Sequence, residues 1–464
     1  MTNTEERLTE TFKRALDNIL ARVFVSAPAH HVPSLAVAFS GGLDSSVLLY
    51  LAQQYAAERS IALHAFHIHH GLSTNADAWL AHCRSVCAQR GGAFDACRVQ
   101  VFQAGGRGLE AAARSARYGA LGELCRAHKV PLLLTAHHQD DQVETVLLQM
   151  LRGAGLAGLS GMDEMNAAPE LLGDGATIMA RPLLAVSRAE LAEFAAAIGM
   201  VHIEDESNLN SHHPRNALRN DVLPLLATHF PTYRACLTRS AQHAQSAQRL
   251  LDELAAQDLA ICLDGDALDA LRVESLSDDR IANLMRYWLS TRGLRPPSTA
   301  WLNEALAQLL HVSAESQACV GLLGVELRRY RNRILIVRPH DLTNVAPVEF
   351  RWQGEASLPF PAFGGSLHFD VTESGCDPDW LSAQALRLQA RTAGVGKKIK
   401  LAPNRSSRSL KEHFQALGIP AWERAGLPLV FVGKELLFAA GIGQDSRLSF
   451  VASGIQLRWQ ADHA

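Results

Sequence analysis

The stretch LAVAFSGGLDSSVLLYLAQQYAAE, residues 35–58, carries the strongest structural signal in the chain. Residues 35–39 form a short apolar run typical of a buried strand, and the segment from residue 47 onward reads as a helix. Two adjacent glycines lie between them, and glycine lets the backbone turn tightly and approach a ligand closely. The loop consists of Ser40, Gly41, Gly42, Leu43, Asp44, Ser45 and Ser46. This pattern predicts an anion-binding site, because the amides at a helix start point towards a bound anion.

Alternating strand and helix patterns continue through the first 230 residues. Apolar runs at 61–68, 96–102 and 131–136 predict further strands, and residues 109–127 and 141–151 predict helices. Strands separated by helices favour an α/β fold with a doubly wound parallel sheet and right-handed crossovers. Ligands of such sheets bind beyond the carboxyl ends of the strands.

The chain of 464 residues is too long for one typical domain. We expect a catalytic α/β domain over residues 1–230, a mainly helical domain over 231–345 and an α+β domain over 346–464. The division rests on a change in the sequence pattern after residue 230. An Ala/Gln/Leu-rich helix is predicted from 233 to about 261, and a hairpin is predicted at 325–337.

Composition excludes several classes of protein. The net charge of −3 argues against a uniformly basic nucleic-acid binder. Eight cysteines are present without a CxxC pair, so neither a zinc site nor a disulfide scaffold is indicated. The charged N-terminus lacks the apolar core of a signal peptide, and no run is long enough to span a membrane. A cytoplasmic protein without membrane contact is therefore expected.

Basic residues are unevenly distributed. Residues 387–411 contain eight lysines and arginines and no acid, and a second basic cluster lies at 328–333. Local basic patches on an acidic protein fit a polyanion that is bound at defined places. A solvated surface is the alternative, and charge alone does not decide between the two.

A cluster of imidazoles and carboxylates follows the predicted strand at 131–136. It comprises His137, His138, Asp140, Asp141 and Glu144. Asp141 and Glu144 have the spacing of a capping box at a helix start, which is the structural alternative. A cap needs only one acid, however, and the whole cluster suits proton removal and Mg²⁺ binding.

Other motifs are individually weak. Glu110, Arg114, Arg117 and Tyr118 share a face of a predicted helix, where a surface ion pair beside a packed tyrosine is the alternative. Residues 153–158 match GxGxxG but follow a helix instead of a strand, so a dinucleotide site is not expected. No GxxxxGK[ST] motif occurs in the chain.

The loop SGGLDSS resembles the PP-loop of ATP pyrophosphatases, enzymes that split ATP between its α and β phosphates. The ordered set of the loop, the cluster at 135–145, Arg181-Pro182-Leu183-Leu184, the segment 204–208 and Pro214-Arg215-Asn216-x-x-Arg219 resembles the tRNA(Ile)-lysidine synthase family over residues 34–226. Residues 396–431 are similar to the C-terminal tRNA-binding domain of its longer members. Glu206 departs from the pattern, since many relatives have proline there.

The resemblance implies ATP and Mg²⁺ as cofactors, and free L-lysine and tRNA(Ile) with a CAU anticodon as substrates. It assigns the loop at 40–46 to the pyrophosphate of ATP, and Asp44 and Asp141 to Mg²⁺. The candidate catalytic residues are Asp44, Asp140, Asp141, Glu144, His137 as a base, and Arg114. The candidate RNA-binding residues are Arg215, Arg219, Lys397, Lys398, Lys400, Arg405 and Arg408.

Three rival functions are weighed against this prediction. A PP-loop tRNA thiolase of cytidine or uridine would typically need an iron–sulfur cluster or a catalytic cysteine pair. A small-molecule amide-forming ligase would not need the basic C-terminal region, and a non-catalytic adaptor would not need the intact loop and acidic cluster. The sequence leaves the oligomeric state open, a homodimer included.

Overall fold

The computed structural model describes residues 3–24, 34–101, 109–204, 214–310, 318–338, 345–390 and 396–462. The chain divides into two compact units, Met1–Leu251 and Asp252–Ala464. Among the helices in these described ranges, none combines the length and apolar character that a bilayer span requires.

A six-stranded sheet organises the first unit. Its strands are β1 (Leu35–Ala38), β2 (Leu63–His69), β3 (Ala93–Arg98), β4 (Leu132–Leu134), β5 (Met165–Ala167) and β6 (Ile178–Ala180). The spatial order is β3-β2-β1-β4-β6-β5; β5 pairs antiparallel with β6, and the other pairs are parallel. The predicted mainly parallel α/β sheet is confirmed.

Helices cover the sheet and connect its strands. They are α1 (Asn3–Val23), α2 (Leu43–Arg59), α3 (Ala76–Gln89), α4 (Leu109–Ala127), α5 (Gln139–Leu151), α6 (Leu156–Leu159), α7 (Pro169–Leu172), α8 (Arg188–Ala197), α9 (Pro214–Ala217), α10 (Leu223–His229) and α11 (Tyr233–Cys262). A π-helical turn, Leu218–Val222, joins α9 to α10. The predicted helix at 109–127 and the long helix beginning at Tyr233 are both confirmed.

Both faces of the sheet are buried, and the sequence shows why. Successive side chains of a strand point to opposite faces. Leu35 and Val37 therefore join one apolar core with α1, α2 and α8, while Ala36 joins a second core with α4. Full burial of such a valine or leucine contributes roughly 1.5–3 kcal/mol. Strands that are apolar at every position are stabilised on both faces, which is why the run at 35–38 is continuous instead of alternating.

Several boundaries differ from the predictions, among them those of β2, which covers Leu63–His69 instead of 61–68, and of β4, which covers Leu132–Leu134 instead of 131–136. Strand β3 begins at Ala93, three residues before the predicted start at 96, and residue 102 lies outside the described residues. Helix α5 begins at Gln139 instead of Asp141 because His138 is its N-cap. The ring of His138 accepts from the Asp141 amide, and the Asp141 carboxylate accepts from the His138 amide. The capping box is therefore His138–Asp141, not the pair Asp141–Glu144 considered from the sequence.

The second unit is rich in short antiparallel strands. Its strands are β7 (Leu263–Asp264), β8 (Ala267–Asp269), β9 (Cys319–Leu322), β10 (Val325–Tyr330), β11 (Arg333–Val337), β12 (Val348–Phe350), β13 (Ser357–Phe360), β14 (Gly365–Cys376), β15 (Leu386–Gln389), β16 (Lys398–Ile399), β17 (Arg408–Ser409), β18 (Leu429–Val432), β19 (Glu435–Ala439), β20 (Gly443–Gln444) and β21 (Phe450–Ala461). Its helices are α12 (Ala270–Glu274), α13 (Asp278–Thr291), α14 (Thr299–Leu310), α15 (Pro378–Ala383), α16 (Leu410–Ala416) and α17 (Ala421–Ala425), with a 3-10 turn at Pro361–Phe363. Strands β10 and β11 form the predicted hairpin.

Candidate active site

The loop between β1 and α2 adopts a conformation that needs glycine. Gly41 has a φ of +85°, in the left-handed region that favours glycine. Its carbonyl accepts hydrogen bonds from the amide of Ile203 at 2.9 Å and from the hydroxyl of Ser46 at 3.2 Å. The hydroxyl of Ser45 donates to the carbonyl of Gly42 at 3.0 Å. The two serines thus hold the loop in shape through its own carbonyls.

The first turn of α2 is open to an anion. Gly42 is the N-cap of this helix, and no side chain caps it in the described part of the chain. The first amides of a helix have no partner within the helix and carry the positive end of its dipole. Leu43, Asp44 and Ser45 lie in this turn, so the loop predicted to bind pyrophosphate has the geometry of a phosphate site.

Two cavities border this loop. One, of 210 Å³, has apolar walls from Phe66, Ile68, Tyr118 and Leu121 and a polar end at residues 135–137. The other, of 590 Å³, is polar, and it is lined among others by His67, His69, His70, Arg117, Arg188 and Glu204. Ser40, Gly42 and Asp44 line both cavities, so the loop separates an apolar pocket suited to a flat ring from a wider, charged one.

Asp44 and Asp141 meet at one imidazole. Nε2 of His138 lies 3.7 Å from Oδ2 of Asp44 and 3.4 Å from Oδ2 of Asp141, although the two acids belong to different helices. The other oxygen of Asp44, Oδ1, is buried and has no hydrogen-bond partner within the described residues. An unpartnered buried carboxylate oxygen is costly, and a bound cation would satisfy it.

Glu144 is paired with two arginines. Its carboxylate is fully buried and accepts from Nε of Arg215 at 2.7 Å and from Nε of Arg219 at 2.7 Å. Arg215 and Arg219 are four residues apart in the helical segment that contains the π-turn, and residues at this spacing share a face. Both guanidiniums also approach Oδ1 of Asp141, at 3.5 and 3.4 Å. The two predicted RNA-binding arginines thus lie inside the acidic cluster.

Asp140 is anchored to two other elements. One oxygen accepts from the Arg188 amide at the start of α8 at 2.8 Å, and the other pairs with Nε of Arg234 at 2.5 Å. Burial alone would raise the pKa of Asp140, but these two donors outweigh it and hold the pKa below its usual value. Both oxygens of this candidate catalytic residue are therefore engaged. Arg234 was missed by sequence reasoning, because nothing in its local sequence marks it.

The surroundings of His137 disfavour its protonated form. Burial lowers its pKa; Asp141 acts in the opposite direction, and Arg181 and Arg114 lower the pKa further. Its Nδ1 lies 2.9 Å from the hydroxyl of Thr135, which itself donates to the carbonyl of Ala180. A group with such a low pKa holds a proton poorly at neutral pH, so His137 is better suited to hydrogen bonding than to acting as the base.

Arg114 and the predicted RNA-binding residues of the second unit are at least partly exposed. The guanidinium of Arg114 lies over the ring of Tyr118, which is buried, while the side chain of Glu110 lies outside the described residues. Strands β16 and β17 pair and place Lys398 and Arg408 on the surface. Within the described residues, no salt bridge involves the predicted RNA-binding residues Lys397, Lys398, Lys400, Arg405 and Arg408.

The second basic cluster, at 328–333, is largely neutralised. Arg328 pairs with Glu326, Arg329 with Glu274, and Arg333 with Asp264. Arg329 is buried and also donates to the carbonyls of residues 309 and 310. This cluster therefore offers far less free charge to a polyanion than its sequence suggests, whereas the described lysines and arginines of the 387–411 stretch form no salt bridge.

The loop, the parallel sheet and the uncapped helix start define a PP-loop ATP-binding domain, and the PP-loop domain family matches residues 8–226. The TilS substrate-binding domain matches residues 268–335, and the TilS substrate C-terminal domain matches residues 386–459.

Curated relatives identify the family. The tRNA(Ile)-lysidine synthase of Ralstonia nicotianae is 41% identical over 96% of this chain and 97% of its own length. Those of Burkholderia pseudomallei (42% identical, 88% of each chain) and Nitrosomonas europaea (36% identical, 92% of this chain and 91% of the relative) are also similar. The chain belongs to the tRNA(Ile)-lysidine synthase family, so the thiolase alternative is not favoured.

A solved structure, the U34-tRNA thiolase NcsA from Methanococcus maripaludis with its [4Fe-4S] cluster, covers 51% of this chain and 80% of its own, at 16% identity and a TM-score of 0.42. A similarity this weak is no argument for thiolase activity.

Proposed function

We propose that this chain joins the ε-amine of free L-lysine to C2 of the wobble cytidine in a CAU-anticodon tRNA(Ile), with ATP converted to AMP and diphosphate. The observation that carries the proposal is the meeting of Asp44 and Asp141 beside the uncapped start of α2. The start of α2 can bind an anion and the two carboxylates can bind a cation, and both lie at the carboxyl ends of parallel strands.

The first half of the reaction is activation of a poor leaving group. The C2 carbonyl oxygen of cytidine attacks the α-phosphorus of ATP; a C–O–P ester forms, and the bond to the β-phosphate breaks. The amides of residues 43–45 would bind the departing diphosphate. The apolar cavity with Phe66 and Tyr118 would hold the adenine ring.

Guanidiniums near this loop would stabilise the charge that develops on the phosphate. Arg215 and Arg219 are held by Glu144, so their orientation is fixed before substrate binds. Donors that are already oriented cost little reorganisation during the reaction, which is the basis of electrostatic catalysis. Glu144 thus acts here through the two arginines.

In the second half, the lysine amine attacks C2, the C–O bond breaks and AMP leaves. A free lysine ε-amine has a pKa of about 10.4, so it arrives mostly as a cation without a lone pair. Asp44 and Asp141 are the carboxylates of the cluster best able to receive a cation. The arginines lie 2.5–2.7 Å from Asp140 and Glu144 but 3.4–3.5 Å from Asp141, and Oδ1 of Asp44 has no hydrogen-bond partner among the described residues. The carboxylates would hold the ammonium beside C2, and its proton would pass to solvent water before the neutral amine attacks.

Mg²⁺ fits the same donor set. Hard oxygen ligands are what this ion prefers, and Asp44 Oδ1 is buried without a partner in the described part of the chain. No group of three His, Cys, Asp or Glu side chains within the described residues forms a complete metal site. Mg²⁺ usually takes one or two carboxylates together with substrate phosphates, so Asp44 and Asp141 would hold it jointly with ATP, and it would neutralise phosphate charge.

The lysines and arginines between residues 397 and 408 would bind the phosphate backbone of the tRNA. Replacing Lys397, Lys398 and Lys400 by alanine should weaken tRNA binding and reduce the slope of log K against log salt by roughly 2–3, one counterion for each lost phosphate contact. Lys13→Ala, which removes a charge from α1 in the first unit, is the control and should leave the slope unchanged. An unchanged slope in the triple variant would reject this surface.

The direct test is incubation of the protein with ATP, labelled lysine and CAU-anticodon tRNA(Ile). Label in the RNA together with AMP release is expected, and a tRNA with another wobble base should receive none. Asp44→Asn should abolish incorporation; full activity of this variant, or release of ADP in place of AMP, would contradict the proposal. Cytoplasmic location and a homodimer stay predictions.

A further inference from the structure

His138 lies where three carboxylates converge. Its ring is only 2% exposed and lies near acids from both α2 and α5. Its Nδ1 is 3.9 Å from Oδ2 of Asp140, and its Nε2 faces Asp44 and Asp141. The proposed mechanism assigns no role to the imidazole of His138.

The cap of α5 determines which ring nitrogen carries the proton. The Asp141 amide points at Nδ1 of His138 over 3.4 Å, so Nδ1 acts as an acceptor. A neutral imidazole has one donor and one acceptor nitrogen. The proton is therefore assigned to Nε2, which faces the two carboxylates.

An N–H group between two carboxylates controls how far apart they sit. Asp44 lies in the first turn of α2, and Asp141 lies in the first turn of α5. Like charges repel, so each carboxylate would turn away from the other without a donor between them. Nε2 lies 3.7 Å from one and 3.4 Å from the other, and the remaining oxygen of Asp44 stays without a partner within the described residues.

We propose that His138 is a positioning residue: its Nε2–H holds the Asp44 and Asp141 carboxylates at the separation that one divalent cation needs. This inference rests on the cation role that the proposed function gives to these two acids. Groups that orient metal-binding carboxylates typically change metal affinity about 10- to 100-fold when they are replaced.

Two substitutions separate positioning from helix capping. Asparagine puts an amide oxygen near the position of Nδ1, and it is among the best N-cap residues, so His138→Asn keeps the cap and loses the Nε2 donor. Glutamine puts an amide nitrogen near the position of Nε2, so His138→Gln keeps a donor towards Asp44 and Asp141 and loses the cap.

The assay measures Mn²⁺ binding to the full chain by electron paramagnetic resonance in the presence of ATP, without tRNA or lysine, and the melting temperature of the same samples. His138→Asn should melt close to the wild type and bind Mn²⁺ about 10- to 100-fold more weakly. His138→Gln should melt lower but bind Mn²⁺ more tightly than the asparagine variant does.

The opposite ranking would overturn the proposal. If His138→Asn binds Mn²⁺ as well as the wild type, or if the two variants lose affinity only in proportion to their loss of stability, His138 is a helix cap and nothing more. A wild-type protein that binds no Mn²⁺ beside ATP overturns it as well. Because tRNA and lysine are absent, failure to form lysidine in the separate incorporation assay leaves this comparison intact.

Discussion

Substituting the two adjacent glycines of the loop should give opposite results. A Cβ built on Gly41 would lie 2.6 Å from Cδ1 of Ile203 and 2.8 Å from Sγ of Cys83, closer than non-bonded atoms approach. Gly41 also has a φ of +85°, which strains any residue with a side chain. A Cβ on Gly42 would meet nothing closer than Oγ of Ser40 at 3.6 Å, which is an ordinary contact, and φ there is −71°.

The magnitude for Gly41→Ala follows from two terms. The left-handed backbone costs about 1–2 kcal/mol for alanine. Overpacking adds about 1–3 kcal/mol, since Ile203 can move its chain end but the neighbouring Cys83 is fully buried. The sum is roughly 2–5 kcal/mol, and a unit of this size loses roughly 2–4 °C in melting temperature per kcal/mol. Gly41→Ala should therefore melt about 4–20 °C lower than the wild type.

Gly42→Ala should behave differently because the residue borders the candidate nucleotide site and the added Cβ meets no close contact. Gly42 lines both cavities beside the loop, so the added methyl group occupies space that the phosphates would use. Its melting temperature should stay within a few degrees of the wild type, as an N-cap glycine-to-alanine change costs at most about 1 kcal/mol. ATP binding, measured by titration calorimetry, should be lost.

Thermal unfolding followed by circular dichroism, with and without ATP, distinguishes the two variants. A third variant tests the clash itself: Cys83→Ala in the Gly41→Ala background should recover part of the lost stability, giving a favourable coupling in a double-mutant cycle. Equal melting temperatures for Gly41→Ala and wild type, or a Gly42→Ala protein that binds ATP normally, would refute this account of the loop.

The remaining predictions concern the acidic cluster. Glu144→Gln should destabilise by about 2–4 kcal/mol: breaking a buried pair costs about 3–5, reduced here because the arginines are 27–29% exposed. The half-exposed Glu58→Gln is the control and should change the unfolding free energy by less than about 0.5 kcal/mol; equal effects would contradict the burial argument. Arg234→Met should be less stable than wild type at neutral pH. Because Asp140 has a lowered pKa, this difference should shrink as pH falls below about 4, when the carboxyl is protonated in both proteins; a constant gap in melting temperature across that range would exclude the pair.

Local patterns were enough to predict the sheet and the loop. The strand at 35–38 is continuously apolar, and the glycine pair follows shortly after it. The strand signal and the turn signal therefore support the same local structure. The start of β3 was placed wrongly because β3 is an edge strand whose residues are only partly buried. Charged Asp95 sits inside it, and an edge strand gives a weak apolar pattern. The start of α5 was missed because histidine is not among the usual N-cap residues.

Long-range pairing explains what the sequence could not show. The basic cluster at 328–333 looked like a polyanion patch because two of the three acids that pair with it, Glu274 and Asp264, lie more than fifty residues earlier in the chain. In the same way, the arginine that engages Asp140 comes from α11, 94 residues later. Charge counted along a sequence measures local density, whereas the charge available to a ligand depends on partners that only the fold brings together.

The same long-range pairing determines which acids of the candidate active site can attract a cation. The sequence offered four candidate acids after two predicted strands, and the resemblance assigned Asp44 and Asp141 to Mg²⁺. In the structure, Glu144 is enclosed by two arginines and Asp140 is held by an arginine and a backbone amide, so the charge of both is already compensated. A compensated carboxylate orients its partners and has little left to attract a cation. Asp44, with one oxygen unpartnered among the described residues, and Asp141, whose arginine contacts are the longer ones at 3.4 and 3.5 Å, are left to do so. The division of labour among the four acids thus follows from which cations the fold brings to each.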